Sequence, residues 1–81
     1  MTSAPARVLL VGKPDCHLCD EARRVIEEVC ADAGVVWTEL SILDDPALAD
    51  QYWELIPVTL VDGQVVATWT VAAGTLRAAL A

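Results

Sequence analysis

Eighty-one residues are enough for one small domain, and a 56% apolar composition rich in Val, Leu and Ala can give it a core without staples or metal. Twelve acidic against five basic residues leave a net charge of −7. That charge sets aside nucleic acid and membrane surfaces as partners, since both are bound by clustered cations, and its plain role is solubility.

The first residues, Met1 to Ala6, show no basic region followed by a long apolar stretch, and the run Val8-Leu9-Leu10-Val11 is too short for a signal-peptide core or a membrane span. A cytoplasmic location is the default expectation. In that reducing compartment three cysteines do not make a disulfide framework, and a close pair is catalytic or metal-binding.

Arg7 to Val11 reads as a buried strand that stops at Gly12, and Gly12 to Asp15 as a loop broken by Pro14. From Cys16 to Ala33 the apolar period becomes helical. Leu18, Ala22, Val25, Ile26, Val29 and Ala33 fall on one stripe, and Asp20–Arg24 and Arg24–Glu28 are spaced to pair along the exposed side. Gly34 is the expected stop. Val35 to Ile42 alternates as a strand, and Asp45 with Pro46 starts a short helix reaching about Trp53. Ile56 to Val61 is a strand opened by proline. Asp62-Gly63 is a hairpin signal that folds Gln64 to Thr68 back, and Thr70 is placed to cap a last helix ending at Leu80. The order β-α-β-α-β-β-α predicts an α/β domain with a mixed four-stranded sheet flanked by helices.

The reactive chemistry concentrates at Cys16 and Cys19. A thiol at a loop-to-helix junction faces unpaired backbone N–H groups and the positive end of the helix dipole, both of which favour the attacking thiolate. Lys13, the only lysine, lies three residues upstream and adds positive charge, while Asp15 and Glu21 oppose it. Cys19 lies one helical turn further on the same side, where the two sulfurs can close a small ring. Cys16 is therefore the expected attacker and Cys19 the shielded resolving thiol. Zinc sites use the same spacing but need a second pair of ligands, which this chain lacks.

Other residues carry two readings each. His17 either tunes the Cys16 thiolate or is an exposed imidazole without effect. Cys30, at the edge of the apolar stripe, is a packing residue or else a site of oxidation or dimerisation. Pro57 is an ordinary strand-opening proline or the cis residue of a substrate-pairing segment that exposes the Ile56 backbone.

Lys13-Pro14-Asp15-Cys16-His17-Leu18-Cys19, Ile56-Pro57-Val58 and the Asp62-Gly63 hairpin together resemble the glutaredoxin-like branch of the thioredoxin superfamily, over nearly the whole chain from Val8 to Leu80. Leu18 before the second cysteine is similar to small bacterial glutaredoxin-like proteins. The resemblance implies a minimal thioredoxin fold, a nucleophilic Cys16 and a cis Pro57. The chain departs from that pattern in three ways. It has His-Leu where glutathione-using members carry Pro-Tyr between the cysteines. It has Ala67-Thr68-Trp69-Thr70-Val71-Ala72 where they carry Gly-Gly and acidic residues. It also lacks thioredoxin's Trp-Cys-Gly-Pro-Cys.

The leading expectation is a monomeric dithiol oxidoreductase with no bound cofactor, acting on protein disulfides or low-molecular-weight disulfides. Its electron donor is a low-molecular-weight thiol or a reductase, and its substrate-binding residues are Lys13, His17, Ile56 and Pro57. The alternatives are a metal or iron–sulfur binding protein using the same cysteines, and a redox-idle interaction module with Trp53 and Trp69 as an exposed patch. Aromatic residues in so small a chain more often fill the core.

Overall fold

In the computed structural model, which describes residues 6–81, the apolar strand β1 (Val8–Gly12) lies inside a four-stranded sheet of order β2-β1-β3-β4. The expectation about a leader segment rests on residues 1–5 and so lies outside the described part. β1 pairs in parallel with β2 (Trp37–Ser41) and antiparallel with β3 (Val58–Val61), which in turn pairs antiparallel with β4 (Gln64–Thr68). Helices α1 (His17–Ala33), α2 (Pro46–Tyr52) and α3 (Ala73–Leu80) complete the domain. Because side chains alternate across a strand, the interior strands supply two cores. Val8, Leu10 and Val61 pack with Ala22, Ile26, Val29 and Cys30 of α1 and Leu76 of α3. Val11, Val58 and Leu60 pack on the other face with Ile42, Tyr52, Leu55 and Ile56.

Local chemistry fixes most of the boundaries. α1 ends at Gly34, whose φ of 68° is left-handed, with the Val35 N–H donating to the Cys30 carbonyl at 2.9 Å in a closing turn. The Asp45 carboxylate accepts from the Ala47 N–H at 2.9 Å, and Pro46 opens α2 without wasting a donor. Asp62 (φ 51°) and Gly63 (φ 84°) both have positive φ, as a two-residue hairpin turn between right-twisted strands requires. Arg7 holds the Asp62 carboxylate with two nitrogens at 3.1 and 2.9 Å and keeps that carboxyl below its ordinary range, tying the hairpin to the start of β1. No helix among the described residues is long and apolar enough to cross a membrane.

Four expectations are corrected. Thr70 does not cap α3: the cap position is Ala72, without a side-chain bond, and the Thr70 N–H instead donates to the Thr68 carbonyl at 2.7 Å. The chain spends Thr70 on a tight turn and needs two further residues, with Val71 buried, to reach α3. The pairs expected of Arg24 are not formed, and Arg23 holds the neighbouring carboxylates instead. Arg23 faces β2, where it grips Glu39 through two 2.7 Å bonds and also reaches Asp20 at 2.8 Å. A bidentate carboxylate across the fold outweighs exposed helix pairs worth a few tenths of a kcal/mol. Trp53 and Trp69 are not core residues but remain 62% and 53% exposed. The fully buried positions are taken by smaller side chains, Val, Leu and Ile among them, and of the three tryptophans only Trp37 packs against the core. Finally, regular strand starts at Trp37 and Val58, two residues later than expected in each case.

Leu76 is fully buried and is the main anchor of α3 on the first core. Leu76→Ala is expected to lower unfolding free energy by about 2–5 kcal/mol, measured by urea denaturation. In a domain of this size that loss shifts most of the melting transition.

Candidate dithiol site

Cys16 occupies the N-cap of α1 with extended backbone (φ −117°, ψ 111°), the place usually taken by Ser, Thr, Asp or Asn. Its sulfur accepts from the Cys19 N–H at 3.3 Å, and its carbonyl accepts from the Asp20 N–H at 3.0 Å. A thiolate at this position would make the sulfur contact charge-assisted. Cys16 is half-buried, whereas Cys19 is fully buried one turn on.

The reason Cys19 can sit so deep lies in β1. A Cβ at position 12 would stand 2.9 Å from the Cys19 sulfur and 3.3 Å from its Cβ. Gly34 and Gly63 are glycines because their backbone is left-handed, but Gly12 has no positive φ. Glycine is a poor strand residue, and within a strand it marks a close approach. Here the approaching atom is the Cys19 sulfur. The sequence marks Gly12 only as the end of a strand and the start of a loop; the signal that could have found its role is a glycine directly after a buried run of Val and Leu.

Burial pushes the Cys19 thiol up to about 11. The hydrogen bond with Cys16 adds to the rise, the Lys13 backbone N–H opposes it, and the charges of Cys16 and Glu39 add smaller contributions. Burial alone raises Cys30, which is a member of the first core.

The other expected site residues are placed as follows. Lys13 is exposed and acts on Cys19 through its backbone; its side chain is in no ion pair among the described residues. His17 begins α1 with its Nε2 3.2 Å from Glu21 Oε1, along the helix surface. The Ile56–Pro57 peptide is cis. Val58 pairs with both Val11 and Thr68, so the next row of the sheet sets Pro57 between Gly12 and Trp69. The Trp69 N–H donates to the Pro57 carbonyl at 2.8 Å, and Ile56 packs into the second core. Pro57 is thus brought next to the glycine on which Cys19 rests. A groove of about 340 Å³ runs from Leu18, between the cysteines, along Ala22 and Val25 to Thr70 and Val71, with Glu21, Arg24 and Glu28 on its rim. Among the described residues no three His, Cys, Asp or Glu side chains gather as a metal site.

Two outcomes are expected from this geometry. Gly12→Ala displaces the Cys19 sulfur by several tenths of an ångström and speeds alkylation of Cys19 relative to Cys30, read by mass spectrometry of partly labelled protein. The raised Cys19 pKa means the native state keeps its proton while the unfolded chain loses it. Stability therefore falls as pH rises from about 9 toward about 11. The fall is shallower in Cys19→Ser, as denaturation at stepped pH will show.

Similarity to known proteins agrees with this architecture. No curated protein matches the sequence significantly. Among solved structures, the structural-genomics target protein XcR50 from X. campestris is 34% identical, with a TM-score of 0.73 over 90% of this chain and 93% of that one. Thioredoxin 1 from Thermosipho africanus shares the fold at 11% identity, with a TM-score of 0.61 over 90% and 92% of the two chains. The holo form of glutaredoxin C1 from Populus tremula x tremuloides shares it at 15% identity, with a TM-score of 0.51 over 88% and 70%. The model of the glutaredoxin-like domain (DUF836) matches residues 7–81, and the chain belongs to that family.

Proposed function

We propose that the chain is a thiol–disulfide oxidoreductase that reduces protein disulfides or mixed disulfides through Cys16 and Cys19. The observation that carries this reading is the asymmetry of the pair: a half-exposed sulfur at a helix N-cap and a fully buried sulfur one turn behind it. Exposure lets Cys16 meet a target, and burial keeps Cys19 from competing for it.

In the first step the Cys16 thiolate attacks one sulfur of the target disulfide. The Cys16–target bond forms, the target S–S bond breaks, and the departing thiolate takes a proton. Cys19 then gives up its proton and attacks the Cys16 sulfur. An intramolecular disulfide forms and the second target thiol leaves, so the target gains two electrons and the pair loses two. The Lys13 backbone N–H supports the Cys19 anion at the moment it is needed. An external donor, either a low-molecular-weight thiol or a reductase, returns two electrons to close the cycle. A reducing cytoplasm suits three cysteines in the thiol form.

The deciding experiment equilibrates the protein in graded thiol–disulfide buffers, alkylates free thiols and counts adducts by mass. A single two-electron transition between about −200 and −270 mV is expected, with Cys30 unchanged throughout. No intramolecular disulfide anywhere in the range would overturn the dithiol mechanism. In turnover assays Cys16→Ser should be inactive, while Cys19→Ser should accumulate the Cys16–target mixed disulfide.

A further inference from the structure

Trp69 has a conformation and a surface that folding alone does not account for. Its φ is 64°, a left-handed value that is an outlier for a bulky residue. The Thr70 N–H donates to the Thr68 carbonyl at 2.7 Å across it, closing a γ-turn of the strained, positive-φ kind. Three further bonds hold the residue there. Its backbone N–H is shared between the carbonyls of Pro57 at 2.8 Å and Leu55 at 3.3 Å, and its indole N–H donates to the Glu54 carbonyl at 3.0 Å. The ring is therefore fixed along residues 54–57, yet it stays 53% exposed. Strain of this kind persists where the surrounding structure holds it in place, and it concentrates at ligand sites.

The position of the ring gives the strain a use. Trp69 continues the sheet row that holds Pro57 and Gly12, the seat of the Cys19 sulfur. Directly after it, Thr70 and Val71 form one wall of the groove whose opposite wall starts at Leu18, between the two cysteines and 39% exposed. An indole whose only N–H is already bonded offers a partner nothing but carbon and π surface. Along this groove the carboxylates Glu21 and Glu28 outnumber Arg24, and the whole chain carries −7. A small anionic disulfide finds little here to hold it. An extended polypeptide with an apolar side chain beside its cysteine finds a fixed aromatic wall and a groove.

We infer that Trp69 is a substrate-contact residue that selects polypeptide disulfides flanked by apolar side chains. This rests on the oxidoreductase reading and deepens it by naming the substrate class.

The test uses pre-reduced Cys19→Ser protein and follows release of thionitrobenzoate as Cys16 attacks an activated disulfide. One probe is a short peptide whose cysteine is flanked by leucines and carries the thionitrobenzoate group. A second has serines in place of the leucines, and a third is the same activated disulfide built on 2-mercaptoethanol. Trp69→Gly suits the left-handed backbone and removes the ring; Trp69→Asn, also suited to it, replaces that variant if it does not fold. The leucine peptide is expected to lose about fivefold in second-order rate, the size of one aromatic contact, while the 2-mercaptoethanol probe changes less than twofold. Trp69→Phe should restore the peptide preference. Equal rates for the leucine and serine peptides with Trp69 present, or equal losses on all probes, would overturn the inference while leaving the oxidoreductase reading intact. No thionitrobenzoate release from any probe would instead overturn both.

Discussion

The approach of the Cys19 sulfur to Gly12 is the contact on which the site depends. A helix can be laid this close to a sheet only where the strand lends no side chain, and β1 omits one at its last residue. With the sulfur seated there, Cys19 is sealed from solvent by the packing of α1 itself. Cys16, three residues earlier, is left at the helix mouth as the capping group. The chemical difference between two identical side chains thus comes from geometry: burial penalises the anion of one, and the open N-cap exposes the other.

The same end of the sheet gathers everything else that bears on the pair. Gly12 also anchors the chain leaving β2, since its carbonyl accepts from the Ile42 N–H at 2.9 Å. Across β3, Pro57 and Trp69 extend the row, and hydrogen bonds from Trp69 to residues 54, 55 and 57 hold the segment that enters β3. Antiparallel register is what aligns them. Because Val58 opposes both Val11 and Thr68, residues 12, 57 and 69, far apart in the chain, become neighbours.

Charge supports the same picture. Of the five cations, Arg7, Arg23 and Arg77 are engaged with Asp62, with Asp20 and Glu39, and with Asp32 respectively. These pairs join the hairpin to β1, α1 to β2, and α3 to α1. Most positive charge is therefore committed to fastening elements together, and surface pairs of this kind add little stability individually. Lys13, just before α1, and Arg24, midway along it, are the lysine and arginine outside ion pairs among the described residues, in a chain of net −7.

The order of elements, the hairpin, the stop of α1, the start of α2 and the thiol pair are legible in the sequence because each rests on local chemistry. Periodicity sets α1, the positive φ of Asp62 and Gly63 sets the hairpin, Pro46 sets the start of α2, and two cysteines three apart at a helix start can be read from neighbours alone. The interactions it could not supply were those between segments distant in the chain. Arg23 holds Glu39, sixteen residues away, as well as its helical neighbour Asp20, because the fold set a second carboxylate opposite it. Thr70 gave up the capping role because Trp69 turned left-handed against residues 54–57. Gly12 acquired its meaning only when α1 brought a sulfur to where a Cβ would crowd it. Local preference is worth tenths of a kcal/mol to about one, and packing and bidentate hydrogen bonds outweigh it wherever tertiary structure brings them to bear.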